Sequence, residues 1–198
     1  MSSYKTIKER TAGFYKEKGS RFLSFAFPVN SEEEIKEILL QLKKEYHDAR
    51  HICYAWILGE NRQKMKSGDD GEPAGTAGKP ILNQLLHTGC TNVLVAVVRY
   101  FGGTLLGTGG LANAYKTAAA DALSKAVIEE KTEMLTLQIT FPYERMNQIM
   151  SLLKSEGIKP SVSYLDQQVV VTFTFPCEET GQLTPRFSLY ADVEIKIL

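Results

Sequence analysis

Cysteine, net charge and long apolar runs are what this 198-residue chain has little of. Its three cysteines, Cys53, Cys90 and Cys177, are odd in number, far apart and without a C-x-x-C spacing, which disfavours both a disulfide framework and a zinc site. Reduced thiols are the simple account. Lys+Arg and Asp+Glu are equal at 23 each, so no overall field collects polyanions and any nucleic-acid role needs a local patch. No run of about 18 apolar residues and no apolar N-terminal segment is present, so neither a membrane span nor a signal peptide is expected, and the protein reads as soluble and cytoplasmic. His47, His51 and His87 have no partner at metal-ligand spacing, and no serine or cysteine sits in a nucleophile elbow. No resident metal, no other cofactor and no catalytic triad are expected.

The charge that is present is unevenly placed. Residues 1–21 carry Lys5, Lys8, Arg10, Lys16, Lys18 and Arg21 against Glu9 and Glu17, six basic and two acidic side chains, for a net charge of +4. Residues 132–198 carry five basic and eight acidic residues, for −3. Hydrophobic periodicity changes at the same place. Before Lys131 the pattern predicts a strand at 21–28, then an amphipathic helix opened by the S-x-x-E pair Ser31 and Glu34 and carrying Ile35, Ile38, Leu39, Leu42 and Tyr46. Strands at 52–58 and 92–100 are apolar on both faces, as for central strands covered by helices. A short helix is predicted at 80–86 and a long alanine-rich one at 111–126. After Lys131 the order is βαββαβ, the ferredoxin-like unit. Its Leu135, Leu137, Ile139 and Phe141 share one strand face, and Val169, Val171, Phe173 and Phe175 share another. That leaves no exposed aromatic for base stacking of the kind RNA-recognition motifs use. The fold class is α+β, in two domains at 1–130 and 133–198.

Glycine is the residue in excess. Ten of the 15 glycines fall between Gly68 and Gly110, nine of them in two runs separated by a helical pattern and an apolar strand. Such clusters mark positive-φ backbone or a partner that approaches the main chain closely. The second run has P-loop glycine spacing at Gly102 and Gly107, but Thr108 stands where the phosphate-binding lysine belongs. Gly107, Gly109 and Ala112 match a dinucleotide fingerprint in letters only, because the first glycine does not follow the strand directly. In the first run, Asp69, Asp70 and Glu72 read as turn formers, with Mg²⁺ binding as the alternative. Thr76, Gly78 and Lys79 precede a helix and read as an anion seat, with Gly75 a further candidate contact. Arg99 interrupts an apolar strand at its C-terminal end, either as a binding residue or in a buried ion pair.

These residues carry a resemblance. Asp69-Asp-Gly-Glu-Pro-Ala-Gly-Thr-Ala-Gly-Lys-Pro-Ile-Leu82, followed by Arg99-Tyr-Phe-Gly-Gly-Thr-Leu-Leu-Gly-Thr-Gly-Gly-Leu111 and Ala114-Tyr115, closely resembles the signature of the IMPACT family and its bacterial YigZ-like branch. Ser20-Arg21-Phe22, Asp48-Ala49-Arg50-His51 and Cys53-Tyr54-Ala55 support it. The resemblance implies an N-terminal α/β sandwich similar to a domain of a small-subunit ribosomal protein, a fold shared with GHMP-type kinases. It also implies a regulatory, non-catalytic, translation- or stress-linked protein that contacts RNA or a ribosome-associated partner. The alternative it leaves open is an enzyme or sensor binding a nucleotide or other small phosphorylated, anionic ligand. Beyond the first run, the candidate contacts are Arg99, Tyr100, Gly102, Gly103, Gly107, Gly109 and Gly110, with Asn113 and Lys116 on the following helix. Leu106 and Asn113 stand where many relatives have lysine and arginine, which removes two phosphate partners.

Overall fold

The computed structural model describes residues 3–198; Met1 and Ser2, at the head of the basic N-terminal stretch, lie outside the described residues. In chain order the elements are β1 (Ser3–Ile7), β2 (Thr11–Glu17), β3 (Ser20–Pro28), α1 (Glu32–Glu45), β4 (His51–Leu58), β5 (Lys64–Gly68), α2 (Gly78–Thr88), β6 (Val93–Tyr100), α3 (Gly107–Ser124) and β7 (Ile128–Thr132). They continue as β8 (Met134–Pro142), α4 (Met146–Ser155), β9 (Ser161–Leu165), β10 (Gln168–Pro176), α5 (Thr180–Phe187) and β11 (Glu194–Ile197). Tyr4–Lys131 forms one compact unit, and a second is built on Thr132–Leu198.

In the first unit a five-stranded sheet has the order β2-β3-β6-β4-β5, with every neighbouring pair antiparallel. The apolar character of β6 on both faces follows from its central place, and Val93 to Val98 are all fully buried. Alternation sends Val93, Val95 and Val97 to a core shared with Ile81 and Leu85 of α2 and Ala114, Tyr115 and Ala118 of α3. Leu94, Ala96 and Val98 go to the other face, where α1 contributes Ile35 and Leu42. Each fully buried Val or Leu contributes about 1.5–3 kcal/mol, so β6 anchors both cores.

The helices follow from local sequence. Ser31 Oγ accepts from the Glu34 amide at 3.2 Å, and the Glu34 carboxylate accepts from the Asn30 amide at 2.8 Å, one residue earlier than in a standard capping box. On α3, Ala114, Ala118, Ala119 and Ala122 are fully buried, and the axis lies near enough to the sheet for Ser24 Oγ to donate to the Ala118 carbonyl at 2.6 Å. Larger side chains would hold the helix away. Four strands were not expected. β1, β2, β5 and β7 are polar or short, and β5, Lys-Met-Lys-Ser-Gly, is an edge strand that lacks apolar alternation. The basic N-terminal stretch is therefore largely strand. Arg10 lies 4.8 Å over the Phe25 ring, and Arg21 lies 4.8 Å over that of Tyr100.

The second unit is a four-stranded antiparallel sheet ordered β11-β8-β10-β9. Leu137, Ile139 and Phe141 of β8 and Val169, Val171, Phe173 and Phe175 of β10 form its core with Ile149, Leu153, Leu183 and Phe187 of α4 and α5. The opposite face of β8 and β10 presents Thr136, Gln138, Thr140, Thr172 and Thr174. Among the described residues no helix is long and apolar enough to cross a membrane.

Candidate functional site

The pairing of β3, β6 and β4 places Phe22, Arg99 and His51 side by side in register. Directly opposed residues share a face, so the three project on the α2/α3 side at one end of the sheet. Arg99 is 5% exposed although charged, which requires compensation. Glu72 supplies it: Arg99 Nη1 donates to Glu72 Oε1 at 2.5 Å, and the Tyr115 hydroxyl donates to the same oxygen at 2.8 Å. His51 Nε2 lies 3.9 Å from it, while His51 Nδ1 is 2.7 Å from the Asp70 carbonyl. The guanidinium sits between rings, 5.6 Å from the Phe22 centroid and 5.7 Å from that of Phe101.

Glu72 reaches this position because the turn carrying it is fixed by its neighbours. Asp69 Oδ1 accepts from the amides of Ala77 at 3.0 Å and Gly78 at 2.8 Å, and Oδ2 accepts from Gly75 at 2.9 Å. Burial opposes ionisation of Asp69, but the three amide donors outweigh it and hold the carboxyl below its usual range. Asp70 Oδ2 accepts from the Ile52 amide at 2.8 Å, tying the same turn to β4. The turn expected of Asp69, Asp70 and Glu72 is present, but of the three only Asp70 is exposed: Glu72 is buried and Asp69 is bound on both oxygens. One expectation is corrected here. The anion seat at the start of α2 is filled by the chain's own Asp69. Among the described residues no cluster of His, Cys, Asp and Glu is arranged to hold a metal ion.

The second glycine run is also not the loop it was expected to be. Gly107, Gly109 and Gly110 form the first turn of α3, one turn earlier than the predicted start at Leu111. No side chain caps this end, and its first turn contains no acidic residue. Its amides and the positive end of the helix dipole are therefore available to an anion. They open on a cavity of about 360 Å³ lined from one run by Gly71, Glu72 and Pro73 and from the other by Arg99, Phe101 and 105–108, with Arg50, His51 and Leu111 completing it. The two runs thus converge on one space. Behind it, the Cys53 thiol lies 3.0 Å from the Asp69 carbonyl and 3.3 Å from the Tyr115 hydroxyl. Burial pushes both the Cys53 thiol and the Tyr115 phenol well above their ordinary ranges, so neither supplies an anionic nucleophile at neutral pH.

A family model described as the Impact N-terminal domain matches residues 18–123, which include every residue lining this cavity. The chain is also 33% identical over 183 residues to "IMPACT family member YigZ" of Escherichia coli, covering 91% of this chain and 90% of that one. The chain belongs to the IMPACT family. This IMPACT-family protein is also similar to the "Protein IMPACT homolog" of Saccharomyces cerevisiae, at 36% identity over 96 residues, 46% of this chain and 36% of the yeast one. A solved structure titled "Crystal structure of an hypothetical protein" superposes with a TM-score of 0.79 at 31% identity, covering all of this chain and 97% of that one.

Not every residue singled out in this IMPACT-family sequence meets at the cavity. Tyr100 projects to the α1 face, where its hydroxyl donates to Asp48 at 2.8 Å. Asn113, Lys116 and Lys79 are exposed and are not part of the cavity lining. Gly102 serves packing: a Cβ there would come within 1.9 Å of the Gly19 carbonyl carbon. Gly103 and Gly107 have φ of +85° and +70° with open space around them, and Gly109 has neither a positive φ nor a neighbour within 4 Å. Sequence reasoning missed Arg50, Phe101 and Leu105 in the lining. All three lay within family motifs, which was the available signal.

Proposed function

We propose that this protein is a non-catalytic regulatory binding protein, linked to translation, that engages RNA or a ribosome-associated partner through the cavity at the N-terminus of α3. The observation that carries the reading is the uncapped terminus of an 18-residue helix facing a cavity that also contains Arg50 and Arg99. Backbone amides, a helix dipole and two guanidinium groups together recognise phosphate. The translation link comes from the family resemblance. Binding rather than catalysis is supported by the state of the reactive groups: Glu72 is bound by Arg99 and Tyr115, and the Cys53 thiol is held protonated. In the same reading the first unit is the ribosomal-protein-like sandwich shared with GHMP-type kinases, and the second is ferredoxin-like.

The test is sedimentation of the purified chain with ribosomal subunits and with a structured RNA across a salt series. Binding is expected at low salt, weakening steeply as salt rises, and reduced by Arg50→Glu. Absence of co-sedimentation at low salt overturns the reading.

A further inference from the structure

We propose that the β2–β3 end of the five-stranded sheet, on the face away from α3, binds a single strand of nucleic acid, on a surface separate from the cavity. The basic N-terminal stretch folds largely into this hairpin, and the register sorts its charges by face. Lys16 lies opposite Arg21, which lies opposite Tyr100, and Phe14 lies opposite Leu23, which lies opposite Val98. Directly opposed residues share a face, so all of these project on the α1 side. Leu23, Val98 and Tyr100 belong to the apolar cluster under α1, whereas Phe14 belongs to none among the described residues and is 52% exposed. The Phe14 amide donates to Asp121 of α3 at 2.8 Å, which fixes the strand that presents this ring.

Exposed cations flank the ring along the hairpin, Arg10 on one side and Lys16, Lys18 and Arg21 on the other. None of the four forms an ion pair among the described residues. The hairpin's own carboxylate, Glu17, lies on the opposite face and accepts from the Tyr15 hydroxyl at 2.6 Å. Glu9 and Asp48 stand at the margins, and Asp48 already accepts from Tyr100. Lys18 has a φ of +44° in the hairpin turn, where glycine or asparagine is the ordinary choice, so the tip keeps its charge at a backbone cost. Charge alone would suit any polyanion. The exposed ring, with the Arg10 and Arg21 guanidinium groups each 4.8 Å from the centroid of an aromatic ring beneath, adds faces on which planar bases stack. An acidic peptide has no such planes, and a duplex keeps its bases inside. Residues two apart on a strand are ~6.8 Å apart, close to the reach of one nucleotide in an extended single strand, so a base on Phe14 brings the next phosphate to Lys16.

The experiment is fluorescence anisotropy of a labelled oligouridylate about ten nucleotides long, and of its deoxy counterpart, titrated with the full chain across a salt series. Binding is expected at low salt, and a preference between the two, which differ only in the 2′-hydroxyl, assigns the strand to RNA or to DNA. Phe14→Leu keeps an apolar residue in β2 but removes the ring, so it should weaken binding by at least about fivefold, while Phe14→Trp should hold or tighten it. Lys16→Gln should weaken binding and reduce the slope of log K against log salt by about 0.7. Both positions are exposed, so the melting temperatures of the three variants should stay near that of the parent. The inference is overturned by no binding at low salt, by Phe14→Leu binding as the parent does, or by equal competition from a duplex of the same length or from polyglutamate. It is also overturned if Arg50→Glu loses the oligonucleotide and Phe14→Leu does not, an outcome that assigns the strand to the cavity and leaves the reading of that site standing.

Discussion

Replacing Asp69 with alanine removes one carboxylate and leaves three amides, those of Gly75, Ala77 and Gly78, without their acceptor. Losing a helix cap costs typically about 1 kcal/mol and up to about 2. Removing a negative charge from the start of α2 adds about 0.3–1 kcal/mol. The variant should therefore be about 1–3 kcal/mol less stable at neutral pH. Asparagine keeps the shape but carries one carbonyl oxygen, so it satisfies Ala77 and Gly78 while its NH₂ opposes the Gly75 amide. A loss of about 1–2 kcal/mol follows. The pH dependence has a fixed sign. The folded carboxyl titrates below its unfolded value of about 3.9, so its contribution is full above that pH and is lost as pH falls through the folded value. Urea unfolding followed by Trp56, the single tryptophan and 5% exposed in the first unit, reads this directly. Parent and Asp69→Ala should differ at pH 7, and the difference should shrink as pH falls through the lowered range in which the folded carboxyl takes up its proton. A difference under about 0.5 kcal/mol at pH 7, or one that persists undiminished at the acid end, would refute the reasoning.

Two further outcomes follow from the same geometry. Glu72→Ala strands the Arg99 charge in a site where its side chain is 6% exposed, so it should cost about 3–5 kcal/mol by the same assay, and Glu72→Gln, which keeps an acceptor, clearly less. Equal losses for the two would show that the pair is not held as described. Gly102→Ala forces a Cβ onto backbone at Gly19 and should cost at least about 1–3 kcal/mol, whereas Gly109→Ala meets open space in a helical turn and should be neutral or stabilising by about 0.5–1 kcal/mol. Melting temperatures in the opposite order would refute the assignment of one glycine to packing and the other to an open helix end.

What could be read from the sequence was whatever periodicity records. Val93 to Val98 announce a strand buried on both faces, and Ser31 with Glu34 announces the start of α1, because each is a local pattern. β5 escaped because Lys64-Met-Lys-Ser-Gly68 is held by backbone pairing to β4 at an edge, which leaves no apolar alternation. The start of α3 was set one turn late because glycine weighs against helix and is tolerated here in the first turn. Arg99 and the Asp69–Glu72 turn were visible as candidates. A buried ion pair was one of the two readings of Arg99 and is what the structure has, but its partner and the role of Asp69 were not legible, because a carboxylate 27 residues from its arginine and a cap supplied nine residues upstream are tertiary facts.

Gly102 and Gly103 stand next to each other but divide the chain between two regimes. Up to Gly102 the backbone is pressed against the turn at Gly19, and from Gly103 to Gly107 it is bounded by two positive-φ residues with open space around them. Variation in length is therefore expected to sort itself by position. Insertions between Gly103 and Leu106 would reshape the rim of the cavity and leave the sheet as it is, whereas an insertion that shifts Gly102 by one place would drive a side chain into the neighbouring turn. A scaffold arranged this way lets descendants change what they admit without relearning how to fold.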